Sequence, residues 1–176
     1  MCYSSAHVFG RLKPKRRSGC PVSVSLEVFG DRWALLIVRD LMIRGFRTFK
    51  EFQEAGEGIA SNILAHRLRK LRKAGIIVAE KDAADRRKVN YRLTPKGIDL
   101  APVLLELLIW GARHEKTGAP CALAAQMEEH RIQLVAEVRR RWRERDPRPL
   151  QANGRWMWPA GPRASSPENG CRAGGC

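Results

Sequence analysis

Apolar positions recur along this chain with two different periods, and the places where the period changes divide it into elements. Over 32–45, Leu35, Leu36, Val38, Leu41 and Met42 fall at helical spacing, and Gly45 closes the run as glycine often does at a helix C-terminus. A shorter helical run over 22–30 ends at Gly30. FRT at 46–48 is too short for a helix and reads as a small strand. Thr48, followed by Phe49 and Phe52 with Glu51 three positions on, is a capping-box pattern that predicts a short helix over 48–56. After the turn GEGIA (56–60), Ser61 is the predicted cap of a helix over 61–74, in which Leu64, Leu68 and Leu71 form one apolar stripe.

The period then shortens. IIVAE (76–80) and VNYRL (89–93) are strand-type runs, and KDAADRRK (81–88) between them predicts a hairpin with a long charged loop. Thr94 and Pro95 open a further helix, proline taking its favoured first position, and the run continues towards residue 115. A last amphipathic segment spans 121–145. From Asp146 the chain becomes rich in Pro, Gly, Arg and Ser without any period, which predicts disorder.

Charge sharpens this outline. Lys and Arg number 33 against 18 Asp and Glu, a formal net charge of +15. The excess is concentrated at both ends and in 61–92, while the intervening segments are near neutral. The helix over 61–74 carries Arg67, Arg69, Lys70, Arg72 and Lys73 and no acid at all. A solvated helix ordinarily mixes the signs, because opposite charges one turn apart stabilise it. This one is suited to a partner that is itself a polyanion.

Helix, turn, cation-rich helix, then a hairpin with a basic loop is the order of a winged helix-turn-helix, in which the second helix enters the DNA major groove. Opposite the leucine stripe lie Asn62, His66, Arg69 and Lys73. An amide suits adenine and a guanidinium suits guanine, so Asn62 and Arg69 are candidate base readers, with Ala65 against a thymine methyl and His66 on a base or a phosphate. Ser61 completes the N-terminal part of the candidate reading surface, and Lys70 and Lys73 are candidate phosphate contacts, set against the alternative that they only complement the helix dipole. In the wing, Arg86, Arg87 and Lys88 are the candidate DNA contacts, with Asp85 positioned to hold Arg86 or Arg87.

The stretches CPVSVSLEVFGDRWALLIVRDLMIRGFRTFKEF, GIASNILAHRLRKLRKAGII and DRRKVNYRLTPKG together resemble the HxlR-type family of bacterial transcription regulators, relatives of the MarR group, over about residues 20–112. The resemblance implies a homodimer joined through the N-terminal segment and the helices after the wing, binding an inverted-repeat operator. The apolar circumference of 100–110 points independently to a homodimer, since a domain this small has difficulty hiding all of it. The expected fold is therefore mainly α with a small β-hairpin wing. The expected organisation is a flexible basic arm (1–19), the winged helix-turn-helix domain (20–115), a C-terminal helix (119–145) and a disordered basic tail (146–176). The last two extend past the family core.

Cys20 stands just before a helix and near Arg16 and Arg17, a setting that lowers a thiol pKa. Some members of the family sense oxidants or electrophiles with a cysteine in the corresponding place, so Cys20 is a candidate redox sensor, set against the alternative of a small residue packed before Pro21. Phe29, Trp33 and Trp110 read as core aromatics. Enzymatic signatures are missing: there is no Gly-rich phosphate loop, HExxH or GxSxG, and His7, His66, His114 and His130 are scattered. No cofactor or metal is expected. Five cysteines without a CxxC pair, no signal-peptide core and no bilayer-length apolar run predict a protein of a reducing cytoplasm without a membrane partner. The expected function is sequence-specific regulation of transcription on double-stranded DNA, switched by thiol oxidation or a small-molecule effector. The competing reading is a non-specific basic RNA-binding or nucleoid-associated protein.

Overall fold

The structure is a computed structural model and describes residues 18–82, 85–117, 123–146, 148–152 and 155–156. In chain order it contains α1 (Pro21–Phe29), α2 (Arg32–Arg39), α3 (Phe49–Gln53), α4 (Ser61–Lys73), β1 (Ile77–Lys81), β2 (Val89–Leu93), α5 (Pro95–Ile98), α6 (Ala101–His114), α7 (Leu123–Glu129), α8 (Arg131–Glu144), β3 (Gln151–Ala152) and β4 (Arg155–Trp156). Most of the basic arm and residues 157–176 lie outside the described residues. It is a mainly helical winged helix-turn-helix: α3 and α4 form the helix-turn-helix, and β1 and β2 form the wing, antiparallel with Ile77 opposite Leu93 and Lys81 opposite Val89. Among the described residues no helix is long and apolar enough to cross a membrane.

The core follows from the leucine stripe. Leu64, Leu68 and Leu71 of α4 are buried against Ala34, Ile37 and Val38 of α2, Phe52 of α3, and Ile76, Ile77 and Leu93 at the base of the wing. Phe29 and Trp33 are partly buried on this core, whereas Trp110 is 56% exposed and is not a core residue of the subunit. The capping box at α3 is present: the Thr48 hydroxyl accepts from the Glu51 N–H, and the Glu51 carboxylate accepts from the Thr48 N–H at 2.7 Å.

Four local expectations are corrected. The run 32–45 is not one regular helix: α2 passes at Asp40 into a π turn (Asp40–Arg44) that ends at Gly45 with φ 74°. Residues 46–48 form no strand, yet Arg47 O accepts from the Tyr91 N–H at 2.7 Å, so one strand-type bond is made there. The helix predicted from Pro95 breaks at Asp99–Leu100, because Pro102 near the start of α6 has no N–H and its ring would clash with a carbonyl one turn back. Within the segment 121–145 the described residues form two helices, α7 and α8, meeting at His130. A straight helix of that length would run about 37 Å, well past the 14 residues of α6, and the break lets both halves pack on α6 through Leu123, Met127 and Leu134.

The described part of the predicted tail is also ordered onto the body. Leu150 is buried and its N–H donates to Ile43 O at 2.7 Å, while the Arg141 guanidinium donates to the carbonyls of Arg148 and Pro149 at 3.1 Å each. One buried leucine and its backbone bond outweigh a composition that otherwise reads as disordered.

The LTPKG sequence after the wing has a mechanical reason. Leu93 is core, the Thr94 hydroxyl accepts from the Gly97 N–H and donates to Gly75 O at 2.6 Å, and a Cβ on Gly97 would stand 2.2 Å from Ile76 O. Only glycine lets α5 approach the strand so closely. Gly75, with φ 69°, reverses the chain out of α4. Lys96 donates from Nζ to Ala74 O, satisfying a carbonyl at the end of α4.

Beyond residue 118, the chain reaches back to the wing. The Trp142 indole N–H donates to Leu93 O at 2.8 Å across 49 residues. Replacing Trp142 with Phe leaves that carbonyl without its partner, and the expected loss is about 1–3 kcal/mol of stability. Urea unfolding followed by circular dichroism measures it; an unchanged midpoint would mean that water replaces the indole without loss.

Candidate nucleic-acid interface

The exposed face of α4 presents Ser61, Asn62, Ile63, His66, Arg69, Arg72 and Lys73, with Ala65 half-buried at its edge. Ser61 is the first residue of the helix and not its cap. Ala60 takes the capping position with extended backbone (φ −68°, ψ 142°), and its carbonyl accepts the first helical bond from Leu64 N–H at 2.9 Å. The Asn62 side-chain oxygen accepts from the Ile63 N–H at 2.8 Å, which leaves its amide donors outward. Bidentate pairing with adenine would use the second lone pair of that oxygen and one amide hydrogen. Arg69 is folded back on its own helix, donating from Nε to Ala65 O at 3.3 Å, and stays exposed.

The five cations of this helix are not equivalent. Arg67 and Lys70 turn to Asp31, at 3.1 Å and 3.8 Å, and Asp31 also caps α2 by accepting from the Ala34 N–H at 3.0 Å. Asp31 thereby joins the start of α2 to the middle of α4 and sets how the recognition-type helix is presented. Lys70, expected as a phosphate contact, is shared with this carboxylate. Arg69, Arg72 and Lys73 are the outward cations and border an open groove whose other wall is Ile77, Val78 and Ala79 of β1. Sequence reading missed Asp31, although an Asp one residue before a helical run is a recognisable cap signal.

The wing turn is built by its acids. Asp82 accepts from the Asp85 N–H at 3.1 Å and from the Asn90 side-chain amide at 2.8 Å, and Lys88 N–H donates to Asp85 O at 2.9 Å. Asp85 in turn accepts from both the backbone N–H and Nε of Arg87, at 3.0 Å and 3.2 Å. The Arg87 guanidinium, then its backbone N–H, hold the Asp85 carboxyl below its ordinary pKa. Of the two arginines that Asp85 was expected to hold, it holds Arg87. Arg86, Arg87 and Lys88 are all exposed.

Cys20 lies away from this surface, at the N-cap of α1, exposed and with a free thiol. Hydrogen bonds from the backbone N–H groups of Ser23 and Val22 hold its pKa below the usual value.

A second network supports the helix-turn-helix from behind. Asp40 is buried and accepts from Arg39 Nε at 2.9 Å, Arg39 also reaches Glu57 at 2.9 Å, and Arg44 donates to Ala55 O at 3.1 Å. The π turn is thus tied to the turn between α3 and α4.

Comparison with known proteins identifies the family and the fold. The profile of the HxlR-like helix-turn-helix family matches residues 28–118. YdeP of Bacillus subtilis strain 168, named as an uncharacterized HTH-type transcriptional regulator, is 34% identical over 97 residues, covering 55% of this chain and 75% of its own. The crystal structure of PA1607 superposes with a TM-score of 0.55 at 40% identity, covering 60% of this chain and 72% of that one. The redox regulator HypR in its oxidized form superposes with a TM-score of 0.50 at 32% identity, covering 56% of this chain and all of that one.

Removing Asp31 tests the link between the two helices. Asp31→Ala deletes a helix cap and leaves Arg67 partly buried without its carboxylate, so stability should fall by about 2–3 kcal/mol. Chemical denaturation reads this directly, and a loss no larger than that of a surface substitution would sever Asp31 from the presentation of α4.

Proposed function

This chain belongs to the HxlR-like helix-turn-helix family of transcriptional regulators, and from that premise we propose that it binds an inverted-repeat operator in duplex DNA as a homodimer. The observation that carries the proposal is the acid-free outer face of α4 beside a wing whose tip is Arg86, Arg87 and Lys88. In this reading Asn62 and Arg69 address base edges, with Ser61, Ala65 and His66 completing the reading surface. Lys73, and Lys70 when it exchanges Asp31 for a phosphate, hold the DNA backbone. Arg87, positioned by Asp85, follows the backbone or the adjacent minor groove together with Arg86 and Lys88.

The exposed apolar residues support the dimer. Val22 and Leu26 of α1 and Val103, Leu107 and Trp110 of α6 lie outside the subunit core, and they fall on the N-terminal and post-wing elements expected to join two copies. A two-fold interface over these elements would bury them and set two α4 helices at half-sites one helical turn apart.

Likeness to a redox regulator supports a switch at Cys20, which is exposed, at the start of α1 and of lowered pKa. Oxidation or alkylation there would act on a helix of the proposed dimer interface, coupling thiol chemistry to the spacing of the two α4 helices. A small electrophile is the corresponding effector class.

Selection from a random duplex pool tests the central claim. The expected winner is an inverted repeat bound at least about 10³-fold tighter than its scramble. Arg69→Ala should then cost about 1–3 kcal/mol and flatten preference at one position, whereas Arg87→Ala should weaken all duplexes and reduce the salt slope. A pool that yields no repeat, with affinity set by salt alone on RNA and DNA alike, would replace this reading with general nucleic-acid coating.

For the switch, diamide treatment should alter operator affinity in the native protein and leave the Cys20→Ser protein unaffected. A Cys20→Ser protein that responds like the native one removes Cys20 from the mechanism.

A further inference from the structure

The chain after residue 118, outside the family match, closes a cavity of about 80 Å³ at the outer edge of β2, several times the room one water needs. Its polar wall is Arg47 from the turn after α2, Arg92 from β2, and Arg141, Arg145 and Arg148 from α8 and the segment following it. Asp146 is the one lining carboxylate among the described residues. The remaining wall is apolar, with Leu41, Met42 and the Trp142 ring.

These guanidiniums are unequally compensated. Arg148 holds Asp146 through two nitrogens, at 2.7 Å and 3.0 Å. Arg141 pairs with Glu137 at 2.7 Å. Arg92, by contrast, has among the described residues only Glu80 at 4.0 Å. Arg47 Nη1 donates to the carbonyls of Leu41 and Phe46 at 2.7 Å each, which occupies two of its five N–H donors. The Glu51 carboxylate, which accepts from the N–H groups of Arg47 and Thr48, offsets part of the Arg47 charge. Burial, and then the neighbouring Arg92 guanidinium, press Arg47 below its ordinary pKa. Arg145 sits in left-handed backbone (φ 55°), and its guanidinium makes no hydrogen bond or ion pair with the described residues.

Like charges converging in a partly enclosed site are unfavourable unless an opposite charge joins them, and the arginine fork matches two oxygens of one anion. We propose that this cavity binds a small anion, a phosphate or carboxylate group on a compact body, held by Arg47, Arg92 and Arg145. Among the described residues none of α4 or of the wing turn lines the cavity, which favours a small molecule over the backbone of a duplex. The bound anion would join β2, through Arg92, to the turn after α8, beside the Trp142 bond to Leu93. The site stands independently of the operator reading.

The test is thermal unfolding of the full chain at constant ionic strength, with chloride exchanged for inorganic phosphate or, separately, for benzoate. A saturating rise in Tm is expected, about 3–6 °C at a concentration roughly tenfold above Kd. A rise with phosphate assigns the phosphate group, and a rise with benzoate assigns the carboxylate. Arg92→Gln and Arg145→Asn should each abolish the saturating part. Asparagine tolerates the left-handed conformation, so the second variant carries the test should the first misfold. An equal, unsaturating rise in all three proteins is the general stabilisation by excluded salts and overturns the proposal, as does no rise with either anion. A duplex affinity that falls in Arg145→Asn while the anion response is unchanged would give the cluster to DNA and equally overturn it.

Discussion

A wing of two strands cannot hold its shape alone in water, since a two-stranded hairpin is marginal without a face to pack on and partners for its edges. Everything the outer surface of this protein presents depends on how that need is met. One face of the hairpin is pressed onto the core through Ile77 and Leu93. Its outer edge is met from two sides, by Arg47 O at the Tyr91 N–H and by the Trp142 indole at Leu93 O. Its exit is clamped by Thr94, which reaches the carbonyl of Gly75 at the end of α4. The wing and the recognition-type helix are therefore one mechanical unit, and the basic tip of the first is held at a set distance from the cations of the second.

The same economy governs charge. Five cations on one helix would repel one another, and the fold resolves this by dividing them. Arg67 and Lys70 turn to Asp31, and Arg69, Arg72 and Lys73 are left facing outward along the groove beside β1. In the wing, acids that would weaken binding to a polyanion shape the turn and orient Arg87. Acidic residues near a nucleic-acid surface are thus compatible with binding when each is committed to a backbone N–H or to a cation it positions.

The C-terminal extension belongs to the body. Met127 and Leu134 pack on α6, Trp142 closes the wing edge and Leu150 is buried against the π turn. By covering one side of α6 it leaves Val103, Leu107 and Trp110 as the apolar remainder. The apolar circumference of α6 is thereby divided between an intramolecular partner and an open face, a distinction that helical periodicity cannot make.

What the sequence by itself determined is local: the leucine stripe of α4, the capping box at Thr48, the hairpin and the cation-rich face are all written in residues a few positions apart. Spacing alone fixes which side of a helix is apolar, and turn chemistry alone marks where strands reverse. Only the tertiary structure decided which cations remain outward, because Asp31 meets Arg67 through a fold that brings α2 across α4. It also decided that α2 ends in a π turn, that 121–145 bends at His130, and that a stretch rich in Pro and Arg is anchored by Leu150. Each of these turns on a contact between residues distant in the chain, whose stabilisation outweighs the local preference that a sequence reading has to rely on.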